Sequence, residues 1–281
     1  MKRKIIHGFG WLGSLRFLTQ IIVLLKLGLL TRILSPAEFG LFAIITTLVN
    51  AMEALTQTGF DYAIIFYKDD IKKYARTILI ANTFRGVLLS MVVFISSRFL
   101  GDFFNNDNLH KLLLLAAVIP FIGGLKNPYI ILFSKNLDFH KEFLYRLIPI
   151  IIGAVASIYF GIIYKSTLGL LYGLIIGSFS ELIFSYIVIG ANLKEPFKIK
   201  YLKKLFVYGK WLTAGGIIAF LNTQIDNLFI GKLLGVYALG LYDVSFKLAN
   251  IVTSELTDTL AKILFPYLSA IQNNRKKVKK Y

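Results

Sequence analysis

The chain has 281 residues, 56% of them hydrophobic and only 17% charged, with a mean hydropathy of +0.67. A soluble domain is about 45–50% apolar and about 25% charged, so the one or two soluble domains that this length allows are excluded. The formal net charge of +17 would suggest nucleic acid in a soluble protein. Here the Lys and Arg residues cluster between apolar runs, which excludes that partner, and the absence of cysteine excludes a disulfide framework or a thiolate metal site.

The opening MKRK followed by apolar residues has the outline of a signal peptide. No small-residue cleavage site follows, and Arg16 and Lys26 interrupt the run, so it reads as an uncleaved first span. Eight spans are expected near residues 11–33, 39–60, 78–97, 112–133, 147–164, 168–190, 207–230 and 241–268. Their lengths fit the roughly 17–25 residues of a membrane-crossing helix. Helix is the element that satisfies every backbone group inside lipid, and the runs are too long for barrel strands. The fold expected is an all-α integral membrane protein.

Between the first two spans lies Ser35-Pro36-Ala37-Glu38, a turn in which Ser35 suits an N-cap, Pro36 the first helical position and Glu38 the positive helix end. With the N-terminus in the cytoplasm, the cytoplasmic segments hold twenty Lys or Arg and the opposite loops four (Arg98, Lys111, Lys165 and Lys232). That is the positive-inside pattern.

An internal repeat sits at an offset of 200. Trp11-Leu12 recurs as Trp211-Leu212, Phe39-Gly40-Leu41-Phe42 as Leu239-Gly240-Leu241-Tyr242, and Asn50 as Asn250; seven of forty positions match over 11–50 and 211–250 without a gap. Six spans separate the copies, so both enter the membrane from one side, a parallel repeat with its axis along the membrane normal. Residues 1–193 form a first six-helix lobe, and 194–281 hold the first two helices of a second. The chain then ends in RKKVKKY, which is expected of a truncated protein.

Polar residues fall inside the spans, where a charge costs about 2.5–3.5 kcal/mol on insertion scales and faces a water-filled interior or a partner. On the second span Thr46, Asn50, Glu53, Gln57 and Asp61 advance by three or four residues and form one stripe. On the eighth, Asp243, Lys247, Asn250, Ser254 and Asp258 do the same. Arg16 and Gln20 lie one turn apart on the first span with Lys26 near their face; Asp226 occupies the repeat position of Lys26, and Asn82 and Arg85 share a face of the third span. The bland reading is interhelical glue. The sharper one is a cavity lined by Arg16, Gln20, Lys26, Asn50, Glu53, Arg85, Asp226, Lys247 and Asn250, whose cations suit a phosphate and whose acids suit protons or Na⁺. Asp138, His140 and Glu142 read as a solvated turn rather than a metal site, and no phosphate-gripping glycine loop is present.

LLTRILSPAEFGLFAI followed by TQTGFDYAII resembles the first hairpin of the polysaccharide transporter family, the O-antigen or oligosaccharide flippases. IDNLFIGKLLGVYALGLYDVSFKLAN resembles the start of that family's second lobe. The resemblance implies two lobes around a central cavity in the bacterial inner membrane. It implies flipping of undecaprenyl-pyrophosphate-linked oligosaccharide to the outer leaflet by alternating access, for lipopolysaccharide O-antigen or exopolysaccharide synthesis. The implied partners are that lipid-linked oligosaccharide, membrane lipid, a polysaccharide polymerase and glycosyltransferases, with no cofactor and no enzymatic activity. Alternatives are a cation-coupled multidrug exporter of the same superfamily, a membrane glycan polymerase or ligase, and a non-functional fragment.

Overall fold

The computed structural model describes residues 2–67, 70–190 and 193–250, with the side chains of 2–9, Tyr67 and Asn250 outside that description. Every element in the described residues is helical, and seven helices are long and apolar enough to cross a membrane. The chain is therefore an all-α integral membrane protein. Only the start of the eighth span, to Asn250, is described, so Ser254 and Asp258 of the second stripe lie outside.

Helix α1 (Lys2–Leu30) carries the first span. Helix α2 (Pro36–Thr56) starts at the proline, as its fixed φ favours, with Ser35 extended but making no side-chain cap. Glu38 lies in the first turn of α2, as expected, and also serves a second helix. Its carboxylate accepts from the Thr167 backbone N–H at 2.5 Å and from the Thr167 hydroxyl, at the positive end of α9 (Thr167–Ile187). The second span is not continuous to residue 60. It breaks at 57–59, where Gly59 takes φ +60, and resumes as α3 (Phe60–Tyr67).

Helix α4 (Ile71–Phe103) overruns the expected third span at both ends, capped by the Asp70 side chain on the Lys72 N–H at 3.0 Å. The fourth span is displaced. It runs as α5 (Asp107–Ala116) and α6 (Val118–Gly124), starting at the Asn106 cap. It stops before residue 133 because Lys126-Asn127-Pro128 cannot continue a helix. Asn127 is fully buried; it caps the Tyr129 N–H and donates to the Ser185 and Ile189 carbonyls at 3.0 and 2.9 Å. A 3₁₀ turn and the short helix α7 (Ile131–Lys135) follow.

Helix α8 (Phe139–Tyr164) begins earlier than expected and packs along α9 through a ladder of small residues. A Cβ added at Gly173 would meet the Ser157 backbone N at 2.6 Å and the Gly153 carbonyl at 2.7 Å, so the two backbones nearly touch, as small residues allow within a bilayer. Helix α10 (Ile199–Leu233) then lies along α2 and α3, and α11 (Gly235–Asn250) packs on the start of α2. Leu113, Leu171, Leu239 and Ile44 fill the core where α2, α5, α9 and α11 meet.

The α2–α11 contact is reciprocal. A Cβ on Gly40 would run into the Val236 carbonyl, and one on Gly240 into the Pro36 carbonyl. Residue 40 meets 236 while 240 meets 36, the pattern of two like surfaces related by a two-fold axis.

Candidate functional site

Two cavities of several hundred cubic ångström lie among the described helices. The first, about 490 Å³, is an open cleft bordered by α1, α8 and α9, with Phe42 of α2. Its walls carry Arg16, Lys26 and Arg146 against a single carboxylate, Glu181, with Thr19, Ser157 and Ser178 as neutral polar groups. Glu181 is held by Lys126 at 2.7 Å and by the Tyr145 hydroxyl at 3.0 Å, so its charge is already matched. Arg146 is matched in its turn by Glu142 at 2.9 Å, so the positive formal charge of the lining comes from Arg16 and Lys26, within a span, a place that favours an anion.

The second cavity, about 410 Å³, lies between the α2–α3 break, α4 and α6. Asn50 and Glu53 line it from α2, Gln57 from the break, Asp61 and Tyr62 from α3, and Asn82 and Arg85 from α4. Here two carboxylates face one guanidinium. Arg85 donates from Nη1 to the Thr56 carbonyl at 3.2 Å, one of the acceptors freed where α2 ends. A hollow of about 70 Å³ lies between the two cavities, lined by Asp61 of the second and Arg146 of the first, with Ser134, Glu142 and Tyr145.

The helical spacing thus places Arg16 with Lys26, and Asn50 with Glu53 and Arg85, but in separate cavities of opposite formal charge. Gln20, one turn from Arg16, lines neither. Asp226 accepts from the Tyr242 hydroxyl and from the Asn227 backbone N–H at 3.0 Å. Lys247 pairs with Asp243 one turn away at 2.5 Å. These two residues join α10 to α11 or brace α11 itself, and line neither cavity. The side chain of Asn250 lies outside the described residues.

Three residues at the site were not among the expected cavity residues: Arg146, Glu181 and Glu142, the last read as part of a solvated turn. Glu142 is not in a solvated turn. It is buried and paired with Arg146 at 2.9 Å, and it accepts from Ser134 at 3.2 Å. The available signal was the Glu142–Arg146 spacing of four, which belongs to a helix, within the apolar run that α8 continues. Among the described residues no group of three or more His, Asp or Glu is placed to hold a metal ion.

Comparison with known proteins agrees with this architecture. Residues 29–281 match the model of a family described as polysaccharide biosynthesis protein. An uncharacterized membrane protein in the cps region of Klebsiella pneumoniae is 28% identical, covering 99% of this chain and 58% of that protein. The lipopolysaccharide biosynthesis protein WzxC of Escherichia coli (strain K12) is 23% identical, over 99% of this chain and 57% of its own length. The succinoglycan biosynthesis transport protein ExoT of Rhizobium meliloti (strain 1021) is 20% identical, over 98% and 56%. The chain spans little more than half the length of these relatives. No solved structure matches it. A multi-pass helical chain matched over nearly its whole length by one family model belongs to that family, the polysaccharide biosynthesis proteins.

Proposed function

We propose that this protein takes part in flipping an undecaprenyl-pyrophosphate-linked oligosaccharide across the bacterial inner membrane for surface polysaccharide synthesis, as a transporter and not a catalyst. The observation that carries this reading is the net-positive first cavity, in which Arg16, Lys26 and Arg146 line a space inside the membrane-spanning bundle. A pyrophosphate offers such cations several acceptor oxygens. The transport protein among the relatives supports a carrier role. The N-terminus is read as cytoplasmic and the bundle as alternating access between two lobes, 1–193 and 194–281, a division supported by the reciprocal Gly40–Gly240 contact. Glycosyltransferases would supply the substrate and a polymerase would consume it.

The test is binding of undecaprenyl pyrophosphate to the purified protein in lipid nanodiscs. A charge-assisted hydrogen bond contributes about 1.5–3 kcal/mol, so Arg16→Ala and Lys26→Ala are each expected to weaken binding by about tenfold or more. Unchanged affinity in both variants would sink the anion-cavity reading. A second reading, cation-coupled export of a small molecule, draws on Glu53 and Asp61 facing the second cavity. It predicts drug resistance that Glu53→Gln and Asp61→Asn abolish while Arg16→Ala does not.

A further inference from the structure

We propose that the second cavity is a saccharide subsite, in which Asn50, Glu53, Gln57, Asp61 and Asn82 bind pyranose hydroxyls while the first cavity holds the pyrophosphate of the same molecule. This rests on the flippase reading above and goes beyond it by dividing the substrate between two places. The charge of the two cavities carries the division. Arg16 and Lys26, beside an Arg146 already paired with Glu142, suit phosphate oxygens in the first; two carboxylates against one guanidinium repel them from the second.

The chemistry of the second cavity is that of neutral hydroxyl recognition. A sugar hydroxyl both donates and accepts. Each Asn or Gln amide offers two donors and an acceptor, and each carboxylate two acceptor oxygens, so adjacent hydroxyls find a complete set of partners. Asn50 and Glu53 succeed one another on α2, Gln57 follows at its C-cap, and Asn82 and Arg85 face them from α4. Tyr62 adds a flat ring against which the C–H face of a pyranose packs. The volume, about 410 Å³, lies within the roughly 300–1,000 Å³ of small-molecule sites. Asn50, Gln57 and Asp61 are exposed to this space within or beside the second span, which in lipid would be costly and against ligand hydroxyls is not.

The two cavities are also neighbours. Asp61 of the second and Arg146 of the first line one small hollow, so the two sites share a neighbour through which a pyrophosphate and its first sugars would connect.

The experiment compares two probes on the purified protein in nanodiscs: undecaprenyl pyrophosphate, and the same lipid carrying one N-acetylglucosamine. The wild-type protein is expected to bind the glycosylated probe about tenfold more tightly, the worth of one or two net hydrogen bonds. Asn82→Ala and Glu53→Gln are expected to erase that preference while keeping the affinity for undecaprenyl pyrophosphate, which also shows that they fold. Arg16→Ala is expected to weaken both probes by the same factor and keep the preference. Equal wild-type affinity for the two probes, or second-cavity variants that weaken both equally, would overturn the subsite and leave the anion cavity standing. Failure of the wild-type protein to bind either probe would overturn the flippase reading and the subsite with it.

Discussion

Single residues in this bundle are constrained chiefly by what faces them. Glu142 shows only 4% of its side chain to solvent and is matched by Arg146, which is 39% exposed. Removing one partner of a buried pair costs about 3–5 kcal/mol. Because Arg146 reaches solvent, the lower end of that range applies to Arg146→Met, which strands the Glu142 carboxylate. The double variant Arg146→Met/Glu142→Leu is expected to recover part of the loss. Thermal unfolding in one detergent measures both, and a double variant no more stable than Arg146→Met would refute the account of the pair. Gly173 is a second such point. A methyl group there meets the Ser157 backbone and the Gly153 carbonyl, so Gly173→Ala is expected to cost about 1–3 kcal/mol, read as a lowered melting temperature. The pairing of Glu142 with Arg146 was signalled by its spacing of four, but its burial and the Gly173 contact were not legible in the sequence. Burial of Glu142 depends on Ser134 and on where α8 begins, and the Gly173 contact depends on a helix some twenty residues away.

At the scale of elements, the existence of the helices was legible and their interruptions were not. Apolar runs of span length permit only helix in a bilayer, and the long helices stand where those runs stand. The break at 57–59 is a tertiary matter. Gly59 adopts a left-handed φ, a Cβ on Gly209 of α10 would meet the Thr58 carbonyl, and the Thr213 hydroxyl donates to the Gln57 carbonyl. Carbonyls freed by the break thus find partners on α10 and, through Arg85, on α4. Hydrophobic period carries no trace of that. Gly59→Ala places a side chain in the left-handed region, at roughly 1–2 kcal/mol, and Gly209→Ala pushes into the Thr58 carbonyl. Both are expected to lower the melting temperature, and a Gly209→Ala protein as stable as wild type would show that α10 does not pack on the break. The fourth span shows the same limit. Asn127 ends it by reaching Ser185 and Ile189, sixty residues on.

At the scale of the whole molecule, two features of the sequence carried furthest: the asymmetry of Lys and Arg, and the offset of 200. The first predicts an orientation that labelling tests directly, because the chain has no native cysteine. Lys198 and Lys165 are both exposed on opposite ends of the bundle. Lys198→Cys is expected to react with a membrane-impermeant maleimide only after cells are opened, and Lys165→Cys in intact cells; the reverse pattern would invert the topology. The second feature reappears as the reciprocal contact of Gly40 and Gly240. The second-span stripe was legible from Asn50 through Glu53 to Gln57, because a spacing of three or four residues puts side chains on one face. The division of the polar residues between two cavities was not, since it depends on where α4, α8 and α9 stand against α1 and α2.

The central claim is that the positive cavity of α1, α8 and α9 carries a lipid pyrophosphate across the membrane. It is tested most directly in proteoliposomes loaded with undecaprenyl-pyrophosphoryl-N-acetylglucosamine, with a glycosidase added outside. The account predicts that the cleaved fraction rises past the half exposed at the start. It predicts that Arg16→Ala and Lys26→Ala slow that rise by about tenfold, one charge-assisted contact's worth. Cleavage that stops at the outer leaflet with wild-type protein, or proceeds as fast with both variants, would contradict it.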